Sequence, residues 1–346
     1  MAVTPDRALW NDHASAPGEW NLAKTVFDSE VMRQFMERTQ IWDLIQKKPF
    51  TGAKTEEFIL VADDGVAYPH EPGSEIEGQN IEKSKRNISL EDREAISYYN
   101  ISQLDKFISH YDLQSQMGIN AGNALAALCE NHAIRAFALA ANTSASGAFK
   151  GGQVVTRTNT GSCIGGASGT YPLTLTGSQK FQADIGEMVQ DFREDHISGR
   201  EMYLFTSPYM MRVLRCDNSL LSADYVGREY ADKINGKLTK VENVWCMESM
   251  YMPTAGQETT ASTSVTNANW SSDVAYTISG TGAYQVDLRK LVAIVVIPGA
   301  AGGLVAENIT SEIEKIPGTR SWNIGVAMLK GLGTLRPELA GKIDIS

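Results

Sequence analysis

Apolar residues recur along this chain with two periods, and the switches between them mark its elements. From 21 to 45, "NLAKTVFDSEVMRQFMERTQIWDLI" places Val26, Phe27, Val31, Phe35 and Met36 at helical spacing. The spacing predicts a helix, which "KKPF" and "TG" at 47–52 stop. A strand-like run, "EEFILVA", follows at 56–62, and a second β-type run, "REAISYYNIS", rich in Tyr and Ile, covers 93–102. Between them, residues 63–91 hold only seven apolar residues in 29 and can make no core of their own. Two strands joined by a long polar excursion read as an extended hairpin arm.

The period then changes. Leu113, Met117, Ala121, Ala124, Leu125, Leu128, His132, Arg135, Ala136 and Leu139 recur at steps of three and four. Only Gly118 and Gly122 are weak helix formers in this Ala-rich stretch. One unbroken helix from 113 to about 141 would be about 45 Å long at 1.5 Å per residue. Residues 142–178 form a Gly/Ser/Thr segment with room for two short strands. "QKFQADIGEMVQDFREDHI" is amphipathic through Phe181, Ile185, Met188, Val189 and Phe192. "EMYLFTS" reads as a strand and "SPYMMRVLRC" as a helix with Ser207 at the N-cap and Pro208 in its first position. "VENVWCMESMYMP" reads as one strand or a pair. A second Thr/Ser/Gly tract covers 254–282. "LVAIVVI", 291–297, is a buried strand, followed by a mixed segment to about 330 and the closing "GLGTLRPELAGKIDIS".

No repeat has a fixed period. Three long stretches (63–91, 142–178 and 254–282) lack any regular helical pattern, and structureless loops of that length are uncommon in compact monomers. Arms that bury no surface on their own chain can bury it on a neighbour, so the pattern points to an assembly. The remaining composition narrows the classes. At 42% hydrophobic and 21% charged residues the chain is globular in character. Its net charge of −10 argues against a sequence-reading nucleic-acid binder, which needs a basic face for phosphates. It is compatible with a protein that encloses DNA without gripping it. The start, "MAVTPDRALWNDHA", has no apolar core of a signal peptide. The seven residues of 291–297 fall far short of the roughly 20 needed to span a bilayer. Cys129, Cys163, Cys216 and Cys246 lie 30 or more residues apart, without a C-x-x-C pair, so free thiols are expected rather than a zinc site or disulfide framework. Sequons such as "NIS" at 87–89 then occur by chance.

Four motifs invite a catalytic or binding reading. His110, Tyr111 and Asp112 are adjacent. Neighbours on a strand alternate faces and on a helix diverge by about 100°, so the three cannot converge on one atom. Asp112 is better read as an N-cap before Leu113, with Ser115 at the third helical position. "GSCIG" at 161–165 places Cys163 where a nucleophile elbow would, but polar "TRTNT" precedes it and "GASGTYP" follows, without the strand and helix an elbow needs. "VAIVVIPGAAGG" at 292–303 runs a strand into glycines with the wrong spacing for a dinucleotide fingerprint, and only 43 residues remain after Gly303. A turn is expected there. Asp63, Asp64, His70, Glu71, Glu75 and Glu77 do not match a calcium loop and read as a solvated acidic loop. His13, His132 and His196 have no partners at catalytic or ligand spacing. No catalytic, cofactor-binding or metal-binding residue is assigned, and no cofactor is expected.

The order of elements resembles the major capsid proteins of tailed bacteriophages, of the short-tailed podophage type, whose shell fold is the Hong Kong 97 bacteriophage fold. "KTVFDSEVMRQFMERTQI" looks like the family's amino-terminal helix. "AYPHEPGSEIEG" looks like the tip of its extended loop, with Tyr68, Pro72, Gly73 and Gly78 in place. "NISQLDKFISHYDLQSQMGINAGNALAALCENHAI" is similar to the strand, short helix and long spine helix. "NGKLTKVENVWCMESMYMP" is similar to part of the axial domain, and "GLGTLRPELAGKIDIS" to the carboxy-terminal motif, with Leu335, Arg336, Pro337 and Gly341 in register. Segments 142–178 and 254–282 carry little of the likeness.

The resemblance implies an α+β, Hong Kong 97-like capsid fold. Its parts would be an N-terminal arm (1–50), an extended β-hairpin loop (51–98), a peripheral domain with the spine helix (99–142 and 286–335) and an axial domain (143–285, with 336–346 returning to it). It implies self-assembly through pentamers and hexamers into an icosahedral shell around a double-stranded DNA genome, inside a bacterial cytoplasm. A scaffolding protein and a portal would be partners during assembly, with decoration proteins an open addition and no membrane partner. Lys83 and Lys85 near the arm give no ground for covalent cross-linking. Two alternatives remain: an encapsulin-like compartment shell, and a cysteine-dependent hydrolase using Cys163.

Overall fold

The computed structural model describes residues 19–50, 52–62, 65–73, 75–76, 78–91, 94–102, 113–157, 170–195, 197, 200–217, 220, 231–232, 237–238, 240–252, 284, 286, 288, 291–316 and 321–345. Its elements begin α1 (Glu19–Arg38), β1 (Gln46–Pro49), β2 (Thr55–Val61), β3 (Lys83–Ser89), β4 (Ala95–Ser102), α2 (Leu113–Asn142), β5 (Gln153–Arg157) and α3 (Leu175–Glu194). They continue β6 (Met202–Thr206), α4 (Pro208–Leu214), β7 (Ala231–Asp232), β8 (Lys237–Leu238), β9 (Lys240–Val241), β10 (Val244–Glu248), β11 (Leu291–Val296), β12 (Ala301–Ile316), β13 (Ser321–Thr334) and β14 (Ala340–Ile345). The chain divides into two units, one from 1–39, 90–130 and 305–330, the other from 40–89, 131–304 and 331–346.

In the first unit, α1 buries Phe27, Val31 and Phe35 along one stripe. That stripe approaches the start of α2. A Cβ at Gly122 would stand 2.7 Å from the Val31 carbonyl oxygen, so the weak helix former is what permits helix-to-helix contact there. β4 pairs antiparallel with β13, from Ser102 opposite Ser321 to Ala95 opposite Met328. The ammonium of Lys330, only 1% exposed, lies 3.4 Å from Glu91.

α1 ends at Arg38, earlier than the spacing predicts, and a 3₁₀ turn at Trp42–Leu44 leads into β1. The Thr39 amide makes the last helical bond, to the Phe35 carbonyl. Ile41 and Trp42 are both buried. Adjacent residues on a continuing helix would point about 100° apart, and breaking the helix lets both be covered.

The second unit is built on a mixed six-stranded sheet in the order β5–β14–β11–β6–β10–β9. β11 is buried at every position, as its unbroken apolar run predicts. β14 runs between β11, antiparallel, and β5, parallel. α3 contacts β5 and α4, and its five expected apolar residues, Phe181, Ile185, Met188, Val189 and Phe192, are all buried. Ser207 and Pro208 start α4 as read from sequence, though the Ser207 side chain makes no capping bond. Of the one strand or pair read in 241–253, the structure forms β10, paired with β9 just before it through Glu242 and Asn243 with φ of 48° and 69°, the left-handed pair that two-residue hairpins favour.

Two expectations are corrected. The arm is not a pairing of the 56–62 and 93–102 runs: β2 pairs with β3, a strand inside the polar excursion, while β4 belongs with β13. Every residue of β3 except Ile88 keeps at least partial exposure, so a strand there needs almost no apolar residues. The mixed segment after 300 is the long pair β12 and β13, neighbours in one sheet. The 158–169 part of the Gly/Ser/Thr segment and the 254–282 tract lie outside the described residues.

Candidate assembly surface

The arm begins as a regular antiparallel ladder, with Thr55 opposite Ser89 and Val61 opposite Lys83. Period 2 sorts its side chains. One face carries Glu57, Ile59 and Val61 with Lys83, Lys85 and Asn87, all exposed. The other face turns Leu60 and Ile88 inward. Ile88 is 1% exposed and lies over Gly302 and Gly333, which fixes the arm's base to the second unit. On the open face, Lys85 donates to Glu57 at 2.8 Å. That hydrogen bond, then the carboxylate's charge, raises the Lys85 ammonium above its ordinary pKa. Such an exposed pair adds little stability.

Beyond the ladder, the tip is held by side chains. The Gln79 carboxamide accepts from the Val66 amide at 2.9 Å and donates to the Val66 carbonyl. The Glu82 carbonyl accepts from the Ala62 amide at 3.0 Å, and its carboxylate accepts from the Ala148 amide at 2.9 Å. The turn receiving Glu82 is closed by reciprocal bonds between Ser146 and Phe149. Around this frame Val66, Tyr68, Ile76 and Ile81 stand in solvent, Ile76 at 73% exposure and Ile59 on the ladder at 70%. Six large apolar side chains within 59–81, Ile59, Val61, Val66, Tyr68, Ile76 and Ile81, are thus exposed on the arm. In the first unit, β4 exposes Ile96 and Tyr98 in the same way.

Those residues weighed for chemistry that are among the described residues are not gathered into a site. His70, Glu71 and Glu75 are exposed on the arm, and no group of three metal-binding side chains occurs among the described residues. Asp63, Asp64 and Glu77, His110, Tyr111 and Asp112, Cys163, His13 and His196 lie outside the described residues. His132 is buried against the Tyr284 ring, centroids 4.7 Å apart. Cys129 and Cys246 are buried free thiols, and burial pushes Cys246 up to about 12. A thiol held that high is protonated and unreactive at neutral pH. No helix among the described residues is long and apolar enough to cross a membrane.

Sequence reading missed two buried polar centres. Tyr284 offers its carbonyl to Arg135 at 3.1 Å and its hydroxyl to the Leu332 amide at 2.8 Å. This ties the spine helix to the end of β13 within the second unit. Arg157 of β5 donates to Asp184 of α3 at 2.6 Å, and Tyr171 donates to the same carboxylate. Burial, reinforced by that bond, raises the Tyr171 phenol well above its ordinary value. Both are structural clamps. A cavity of about 490 Å³ beside the arm's base is lined by Val61, Phe149, Lys150, Asp195, Arg336 and Glu338 among others, with no cysteine or histidine in its described wall.

The model of the Gp10A-like major capsid protein family matches residues 60–344. No curated protein sequence matches significantly. Solved structures share the fold. The capsid of the cyanophage P-SCSP1u superposes with a TM-score of 0.71 at 20% identity, covering 89% of this chain and 88% of that one. The mature capsid of bacteriophage PhiM1 gives 0.66 at 15% identity, covering 89% and 87%. A virus-like particle from Pyrococcus furiosus gives 0.51 at 10% identity, covering 91% and 96%. The α+β architecture is therefore the Hong Kong 97-like capsid fold expected from the sequence. With the family model spanning most of its length, this chain belongs to the Gp10A-like family of major capsid proteins.

Proposed function

We propose that copies of this chain assemble through hexamers and pentamers into an icosahedral shell that encloses the double-stranded DNA of a short-tailed phage, in the cytoplasm of its bacterial host. The observation that carries this reading is the arm. It exposes Ile59, Val61, Val66, Tyr68, Ile76 and Ile81 on a polar two-stranded scaffold. A lone hairpin of that kind is a liability in a monomer and an adhesive between copies. Many such contacts, each weak, sum to a stable particle through their multiplicity. The net charge of −10 suits a wall that holds DNA without binding it. The chain acts as a building unit and not as an enzyme. Residues 1–50 serve as the N-terminal arm, 51–98 as the extended loop, 99–142 with 286–335 as the peripheral domain, and 143–285 with 336–346 as the axial domain. A scaffolding protein and a portal take part in assembly, with decoration proteins an open addition.

A compartment shell is the second reading, supported by the likeness to the Pyrococcus furiosus virus-like particle. Sedimentation with negative-stain imaging of the purified chain tests both. Closed shells, tubes or hexamers far above the 37.7 kDa chain are expected, and DNA inside native particles separates virus from compartment. A stable monomer or dimer, even with a scaffolding partner supplied, would overturn the coat reading. Particles that form normally with Cys163→Ala leave a Cys163 hydrolase without support.

A further inference from the structure

We propose that Gln79 and Glu82 are positioning residues that hold the arm's tip in its binding shape before any neighbour arrives, an inference that rests on the coat reading above. Beyond the β2–β3 ladder the described tip residues form no strand of their own. Closing such a loop costs entropy that grows with its length. Gln79 meets that need from a side chain. Its carboxamide uses an acceptor and a donor together on the backbone of Val66, as a facing strand residue would. Asparagine carries the same pair of groups on a shorter stem, and glutamate lacks the donor. Three residues on, Glu82 ties the base of the tip to the closed turn at 146–149, through the Ala148 amide at 2.9 Å. Val66, Tyr68 and Ile76, the exposed apolar groups, stand on the segment these two side chains close. An arm ordered in advance loses less entropy at each docking, and a shell repeats that saving at every subunit.

The experiment uses the full chain with Gln79→Ala, Gln79→Glu and Glu82→Ala. Three quantities are read: amide exchange at Val66 and Ala148 in the unassembled chain, its thermal midpoint, and the lowest concentration at which particles form. In the wild type, Val66 and Ala148 are expected to be protected. Gln79→Ala should free Val66, leave the midpoint within about 1 °C, and raise the critical concentration about fivefold through lost pre-ordering. Gln79→Glu should fall between, and Glu82→Ala should free Ala148 with a similar rise. Free exchange at Val66 in the wild type overturns the proposal, as does an unchanged critical concentration in the variants. A drop in midpoint that accounts for the assembly loss also overturns it, since the role would then be structural. Wild-type chain that never forms particles sinks the coat reading itself, whereas wild-type particles with indifferent variants sink the positioning role alone.

Discussion

Gly341→Ala probes the packing of the second unit at a single atom. Gly341 lies in β14, facing Val295 of β11 on one side and Gln153 of β5 on the other. A Cβ added there would stand 2.3 Å from the Met188 sulfur and 3.0 Å from Cζ of Phe192. An ordinary contact needs about an ångström more than the first of these. The backbone cannot yield easily, because both of its edges are paired. The helix side cannot yield easily either, because Met188 and Phe192 are both 0% exposed. Overpacking of this kind costs about 1–3 kcal/mol, and a clash against two immobilised side chains belongs at the upper end. Removing glycine's freedom from the unfolded chain returns roughly 0.5 kcal/mol. The net expectation is a loss of about 2.5 kcal/mol, read by urea unfolding of the unassembled chain as a lower midpoint at unchanged slope. Against a Met188→Ala background, Gly341→Ala should cost less than it does in the wild type, because the sulfur that the new methyl strikes is gone and only the 3.0 Å approach to Phe192 remains. A neutral or stabilising Gly341→Ala would refute the reasoning.

Three further outcomes are expected. Tyr284→Phe keeps the ring against His132 but leaves the buried Leu332 amide without its acceptor, which should cost about 1–2 kcal/mol in the same unfolding measurement. Cys246 titrates at about 12 in the folded chain against an ordinary value of 9.0, through burial opposed by a hydrogen bond with the Val241 backbone. Its folded pKa is raised, so its contribution to stability is fully present below pH 9 and is lost as pH climbs towards 12; Cys246→Ala should flatten that limb of a stability–pH curve. Ile59→Asp and Ile76→Asp change side chains that are 70% and 73% exposed. They should alter the stability of the unassembled chain by no more than about 0.5 kcal/mol while cutting particle yield in sedimentation.

The legible parts of the fold were those whose signal is local. α2 and α3 repeat apolar residues every three to four positions, and the structure buries Phe181, Ile185, Met188, Val189 and Phe192 together. Ser207 and Pro208 announced α4, and the unbroken run at 291–296 announced a strand buried on both faces. β3 was hidden because Ile88 is its one buried position. β12 was hidden too, since "AENITSEIEKI" mixes charged residues into a strand whose existence depends on a partner elsewhere in the chain. The exposed arm was legible as a long polar stretch, but its internal frame was not. Gln79 and Glu82 look like any solvated side chains until Val66 and Ala148 are placed beside them.

Sequence by itself determined the helices, the buried strand, and the likeness to capsid proteins carried by motifs in order along the chain. Those properties follow from spacing and residue type, which need no knowledge of distant neighbours. Tertiary structure alone decided which strands pair, that β14 is an inner strand of the sheet, and that Tyr284, Arg135 and Leu332 share one buried centre. It also decided which polar side chains stand in for a missing strand at the arm's tip. The physical reason is the same in each case: a backbone hydrogen bond or a close packing contact between residues far apart in sequence leaves no period in either segment alone.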